Sequence, residues 1–339
     1  MNVKTTTKEG VKKILVSSGV LRLSGRLVSP RIVILGYHSI QEQPEVYANS
    51  IGLGITHSAS LFESQMELIA RKYTPVSLEE IRLILEGNKH LPKHAVAVTF
   101  DDGYSDNYEI ADPILRRHGI PATFYLTTDW IGTREAPWFC RLRHAFATTK
   151  KNEWSGAVGG QVWEPSDSKS RNDALQAAFD MVSSKSGDAC RAAVQTIEQD
   201  LDVEPLAPPA GFMMSWDQAR KLLHSGHIVG SHTMSHPNVA HISDEGIVHA
   251  ELDRSKRRIE QELNTAVLHF SYPHPALNPQ WTQRTIEITL ETGYRTAVTT
   301  TAAPVYLGDN PLLLTRLMAP RLGNQFRWAL ENTFLISRD

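Results

Sequence analysis

The chain has 339 residues, 41% hydrophobic and 21% charged, which is enough to bury a large core and excludes a disordered protein. Its 35 Lys plus Arg balance 37 Asp plus Glu to a net charge of -2, so no overall field favours polyanions and nucleic acid is not an expected partner. Two cysteines, Cys140 and Cys190, are too few for a disulfide framework and read as free thiols.

The first 30 residues carry Lys4, Lys8, Lys12, Lys13, Arg22 and Arg26 against Glu9, with Val11, Ile14, Leu15, Leu21 and Leu23 at partly helical spacing. Such a basic amphipathic segment suits either an anionic membrane surface, as a peripheral contact, or a helix packed on the main domain. Arg22 and Arg26 interrupt its apolar stretch, no small-residue cleavage site follows, and no run reaches the roughly 20 apolar residues that cross a bilayer. The expected location is therefore the cytoplasm. Residues 31–339 read as one domain.

From residue 31 onward, short apolar β-branched runs alternate with helical patterns, the rhythm of a parallel α/β fold. Residues 31–37 (RIVILGY) predict the first buried strand, and helices follow over 60–72 and from Ser77, where Ser77 and Glu80 form a capping-box pattern. Residues 95–100 (AVAVTF) are continuously apolar until the turn Asp101-Asp102-Gly103, which predicts a fully buried strand. A helix over 107–118 closes at Gly119, and Pro121 leads into a strand over 122–127.

Residues 133–211 break the rhythm with Gly156, Gly159, Gly160, a helical stretch over 171–182 and the prolines 205, 208 and 209. They read as a mostly helical insertion capping one end of a barrel. The rhythm resumes with a helix over 215–225, opened by Ser215 and Trp216, then a strand over 227–230, a long charged helix over 244–264, strands over 268–272 and 294–299, and a last apolar segment around 312–317.

Polar clusters follow three of these strands, at the end of a parallel barrel where loops converge on a common mouth. The first is Asp101-Asp102. Adjacent aspartates at a turn often only cap a helix, but near a cation one can ligate while the other takes a proton. The second is His232-Thr233-Met234-Ser235-His236, two histidines four apart, expected within one helical turn so that both rings meet one ion. One carboxylate and two imidazoles leave coordination positions open, as a catalytic Zn²⁺ or another divalent ion requires. Such an ion polarises a carbonyl and brings the pKa of bound water toward ~7.

Thr99-Phe100-Asp101-Asp102-Gly103 and the His232 to His236 pattern, in that order, resemble the polysaccharide deacetylases that share the NodB homology domain, carbohydrate esterase family 4. The resemblance runs from about residue 31 to 321, excluding the insertion, and includes Tyr37-His38 at the end of the first strand. It implies a distorted (β/α) barrel of about seven strands, with Asp101 as base and Asp102, His232 and His236 as metal ligands. It also implies a third motif of Arg, Pro and an aromatic residue whose backbone N–H binds the oxyanion. The corresponding stretch is Ser271-Tyr272-Pro273-His274: Pro273 fits, His274 supplies the amide, and Ser271 replaces the arginine. Arg316 and Arg321 are the candidates to take over that arginine's place beside Asp101. No histidine follows His274, so the family's late general acid is missing, and His38, with His274 as second choice, is the candidate for that role.

The expected reaction is hydrolysis of the N-acetyl amide of an amino sugar in a glycan or glycan precursor, releasing acetate. A cytoplasmic location points to a soluble or lipid-linked precursor of cell-envelope or exopolysaccharide synthesis. Hydrolysis of another C–N or ester bond, and a glycan-binding pseudoenzyme, are the alternatives. Trp138, Trp154 and Trp163 in the insertion suit either core packing of the cap or a wall on which a pyranose stacks.

Overall fold

The computed structural model describes residues 31–154, 156, 161–162 and 167–336. The basic segment 1–30 and Trp163 lie outside the described residues. Among the described residues, no helix is long and apolar enough to cross a membrane.

Eight strands form the main sheet: β1 (Ile32–Tyr37), β2 (Thr74–Pro75), β3 (Ala95–Phe100), β4 (Ala122–Leu126), β5 (Ile228–Ser231), β6 (His269–Ser271), β7 (Thr296–Val298) and β8 (Arg316–Met318). Seven of them run in the order β7-β6-β5-β4-β3-β1-β8, all parallel, with β2 pairing separately on β3. A parallel bridge between Val298 and Leu314 links the two ends, so the sheet is a nearly closed barrel. The parallel α/β fold expected from the strand rhythm, and the barrel of about seven strands that the resemblance implies, are thus the observed architecture.

Strand alternation divides the apolar residues into two layers. Val33, Leu35, Val96, Val98, Phe100, Phe124 and Phe270 face outward into the main core. There they meet Phe62, Met66 and Ile69 of α1 (Ala59–Lys72), Leu222 of α7 (Trp216–His224) and Leu252 and Ile259 of α8 (Glu245–Leu263). Ile32, Ile34, Ala95, Ala97, Tyr125, Val298 and Leu314 form a separate cluster inside the barrel, which α2 (Leu78–Leu85) closes at the strands' N-terminal end with Leu78, Ile81 and Ile84. Asp101 continues the inward row of Ala95, Ala97 and Thr99, and Arg316 continues that of Leu314. Both therefore reach the barrel's C-terminal mouth along its axis.

The caps read from sequence are present. Ser77 with Glu80, and Ser215 with Gln218, close reciprocal capping boxes. The helix expected over 107–118 begins instead as a π-turn, Asn107–Ala111, before continuing as α3 (Asp112–Arg117). There Asp106 and Asn107 turn their side chains back to the loop after β1: Ile40 N–H and Ser39 Oγ donate to the Asp106 carboxylate, and Asn107 Nδ2 donates to the His38 carbonyl.

Between 133 and 211 the described residues hold α4 (Trp138–Thr148), α5 (Ser168–Ser183), α6 (Gly187–Asp200) and the short antiparallel pair Glu153–Trp154 with Gln161–Val162. Leu142, Phe146, Phe179, Val182, Val194 and Ile197 give this unit a core of its own, which extends to Ile51, Tyr104 and Trp130 at the barrel mouth. Arg141 on α4 clamps the buried Glu198 of α6 with two bonds of 2.8 and 2.5 Å. Trp138 and Trp154 are buried within this core and offer no stacking wall. Cys140 and Cys190 are free and buried. The remaining helices, α9 (Gln283–Glu291) and α10 (Gly323–Thr333), complete the outer layer.

Candidate active site

The turn after β3 places its two aspartates differently. Asp101 keeps the strand's alternation, whereas Asp102 takes φ 74°, followed by Gly103 at 88°. Positive φ is unfavourable for a residue with a Cβ, and such conformations concentrate at functional sites. The consequence is that both carboxylates reach the same cavity rather than opposite faces of the sheet.

Arg316 crosses the mouth to grip Asp101 in a bidentate pair, Nη1 to Oδ1 and Nη2 to Oδ2, both at 2.8 Å. Its remaining donors are used as well: Nη2 to Ser271 Oγ at 3.1 Å, Nη1 to Thr99 Oγ1 at 3.3 Å and Nε to the Thr299 carbonyl at 2.9 Å. The pair is buried and fully hydrogen-bonded, the one arrangement in which buried charges hold together well. Ser271, where the resemblance places an arginine, serves as an acceptor for the guanidinium that arrives from β8. Of the two candidates Arg316 takes the place beside Asp101, and Arg321 is exposed.

His232 and His236 do converge on Asp102, but not through a helical turn. Residues 232–236 form a loop in which Thr233 and His236 have φ of 67° and 63°, values no helix accommodates. Hydrogen bonding explains the shape. Glu251, buried on α8, accepts from Met234 N–H at 2.9 Å, Ser235 N–H at 3.0 Å and Ser235 Oγ at 2.6 Å. Thr233 Oγ1 accepts from His236 N–H at 3.0 Å, and the Trp138 indole donates to the His236 carbonyl at 3.3 Å. Sequence reasoning missed Glu251, although a glutamate aligned with Val248, Leu252, Ser255 and Ile259 on the helix's buried face was a visible signal.

In the resulting cluster the two Nε2 atoms stand 3.7 Å (His232) and 3.4 Å (His236) from Asp102 Oδ1. One ligand atom from each of the three residues falls within 4.8 Å of the others. A carbonyl can only accept, so the 2.7 Å contact between His232 Nδ1 and the Ser271 carbonyl fixes the proton on Nδ1 and leaves the Nε2 lone pair facing inward. Asp102 Oδ1 is buried with no hydrogen-bond partner among the described residues, a costly arrangement unless a cation sits against it. The donor set thus fits a divalent metal ion.

Burial by itself would push both carboxyls up. For Asp101 the Arg316 guanidinium, and for Asp102 the imidazoles of His236, His38 and His232, outweigh burial and hold both below the usual carboxylate range. Burial lowers His232 to about 4 against the raising effect of Asp101, so at neutral pH its ring is uncharged and free to ligate.

The cavity around these groups, about 280 Å³, is lined by His38, His57, Phe139, Arg143, Phe179, Tyr272 and His274 among others. His38 is half-buried, and its carbonyl is tied to Asn107 at 2.7 Å. The His274 ring is engaged on both sides: Nε2 donates to the Leu277 carbonyl of its own loop at 3.1 Å, and Nδ1 lies 3.0 Å from Thr300 Oγ1 in the loop after β7. Its backbone N–H has no partner among the described residues. His57, unremarked in the sequence, donates from Nε2 to the Ala319 carbonyl at 2.9 Å, with burial lowering the ring to about 4.

The family model described as polysaccharide deacetylase matches residues 88–297. YxkH of Bacillus subtilis (strain 168) is 34% identical over 103 residues, 30% of this chain and 34% of that protein. The poly-β-1,6-N-acetyl-D-glucosamine N-deacetylase of Escherichia coli (strain K12) is 34% identical over 101 residues, 30% of this chain and 14% of that protein. The chain therefore spans about a third of the first of these curated relatives and about a seventh of the second. Among solved structures, the Streptococcus pyogenes deacetylase PplD in complex with acetate aligns over 90% of this chain and 99% of its own, with TM-score 0.58 and 20% identity. IcaB from Ammonifex degensii aligns over 89% and 97%, with TM-score 0.59 and 19% identity. At that identity both speak to the fold.

Proposed function

The chain belongs to the polysaccharide deacetylase family, and we propose that it hydrolyses the N-acetyl amide of an amino sugar in a glycan or glycan precursor, releasing acetate. The observation that carries this reading is the unpartnered Asp102 Oδ1 facing two imidazole Nε2 atoms, beside an Asp101 that Arg316 keeps ionised. The name of the Escherichia coli relative supports the N-acetylglucosamine substrate class.

Asp102, His232 and His236 hold the metal in this proposal. The chemistry a divalent cation supplies there when bound is Lewis acidity toward the acetyl carbonyl and toward water, and two imidazoles with one carboxylate suit Zn²⁺. Asp101 accepts the proton of the attacking water. Each of its oxygens keeps lone-pair capacity beyond the bond that Arg316 takes, and Arg316 fixes the carboxylate's orientation. The His274 backbone N–H donates to the developing oxyanion. His38 delivers the proton to the departing nitrogen, a role the His274 ring fills less well because both its nitrogens are occupied.

The test is acetate release measured across N-acetylglucosamine oligomers, O-acetylated sugars and cyclic amides, with and without a chelator. Chelator-sensitive acetate release from the N-acetyl oligomers is expected. Turnover confined to the O-acetyl or cyclic-amide compounds would replace this reading by another hydrolase activity on the same scaffold, and turnover of none would leave a glycan-binding protein.

A further inference from the structure

Among the described residues that line the active-site cavity, Arg143 is the only lysine or arginine, and it comes from α4 in the insertion rather than from the barrel. The cavity's own carboxylates are already committed. Asp101 is matched by Arg316, and Asp102 faces the two histidines. Arg143 has no carboxylate within ion-pair distance among the described residues, and its Nε is buried without a hydrogen-bond partner.

Its guanidinium is nevertheless held in place. Its carbon lies 5.0 Å from the centroid of the Phe179 ring on α5, itself a cavity residue. On another side it packs against Gly52, where a Cβ would stand 3.2 Å from both its carbon and Nε and 3.3 Å from Nη1. A long cationic side chain fixed by packing, with unused in-plane donors at a cavity wall, is preorganised for a planar or tetrahedral anion. Burying Nε without a partner is otherwise unfavourable, and the two Nη groups are left to face the cavity's contents.

We propose that Arg143 is a specificity residue that binds an anionic group, a carboxylate or a phosphate, carried by the acetylated sugar or its neighbouring unit. That the ligand is an acetylated sugar rests on the deacetylase reading; the anion contact does not. The insertion then places a positive charge over a barrel mouth whose own strands contribute no free cation among the described residues.

The experiment measures dissociation constants by calorimetric titration of the metal-loaded protein with three probes: neutral N-acetylglucosamine, N-acetylmuramic acid as the carboxylate and N-acetylglucosamine 1-phosphate as the phosphate. Wild type is expected to favour at least one anionic probe by about 10- to 100-fold, the range of a charge-assisted hydrogen bond. Arg143→Gln should bring the anionic-to-neutral ratio close to one, and Arg143→Lys should restore part of it. The two anionic arms identify which group the site prefers.

A wild type that does not discriminate, or a ratio that survives in Arg143→Gln, would overturn the proposal. Should Arg143→Gln not fold, the Arg143→Lys ratio and the salt dependence of the wild-type ratio decide, because a charge contact at a half-open cavity weakens as salt rises and a packing effect does not. Acetate release is read separately. Discrimination among these probes with no acetate released from N-acetylglucosamine oligomers would sink the deacetylase reading and leave the anion site standing, and acetate from the oligomers without discrimination would do the reverse.

Discussion

Replacing Arg316 by methionine removes the charge while keeping much of the side chain's bulk, and it separates two effects the structure assigns to that residue. The guanidinium is fully buried and makes two 2.8 Å bonds to Asp101 as well as bonds to Ser271, Thr99 and Thr299. Breaking a buried pair by removing one partner costs about 3–5 kcal/mol, because the surviving charge stays buried without compensation. That is a large share of the roughly 5–15 kcal/mol that stabilises an ordinary domain.

The second effect is on titration. Burial raises Asp101 and Arg316 overrides it, so in Arg316→Met the carboxyl should rise. The acidic limb of the acetate-release profile should move to higher pH, and kcat at neutral pH should fall. Arg316→Lys keeps a charge but loses the fork, and should lie between the two in both readouts. Denaturant unfolding and a kcat profile over pH measure these. A loss of under about 1 kcal/mol, together with an unmoved acidic limb, would refute the assignment of Arg316 as the group that keeps Asp101 ionised.

Glu251→Ala removes the carboxylate that accepts from Met234, Ser235 and the Ser235 hydroxyl. It should weaken metal affinity about 10- to 100-fold in a competition titration, since it frees the loop that aims both histidines. His38→Gln should lower kcat about 100-fold or more while bound metal, measured by elemental analysis, stays at the wild-type level. His57 and His269 are both lowered to about 4 by burial, so each is neutral in the folded protein and binds a proton more readily when unfolded. Their contribution is present above about pH 6.5 and is lost as pH falls toward 4, worth up to about 3 kcal/mol each. The thermal midpoint should drop across that window, and His269→Gln should flatten the drop; an equal slope in the variant would contradict it.

What the sequence shows of this protein, and what it hides, follows from the range of the interactions involved. The strands at 95–100 and 122–126 are legible because full burial writes itself as an unbroken apolar run, and the abrupt change at Asp101 marks the barrel mouth. The Ser77 and Ser215 caps are local, so four residues carry the whole signal. The conformation of 232–236 is not local. Its spacing fits a helical turn, but three bonds from Glu251 on a later helix impose a loop. Arg316 is half legible: Ser271 shows that an arginine is missing, and only the pairing of β8 with β1 shows where the replacement enters. Phe139, Arg143 and Phe179 were out of reach, because the insertion's helices take their places by packing on each other and not by the strand rhythm of the barrel.

The account depends on Asp102 holding the metal while Asp101 handles the proton. Metal bound per chain, determined for Asp101→Asn and Asp102→Ala after dialysis against limiting Zn²⁺, divides those roles most directly. The expected result is close to one ion per chain in Asp101→Asn, with acetate release abolished, and little or none in Asp102→Ala. Equal occupancy in the two variants, or a wild type that retains no ion, would contradict it.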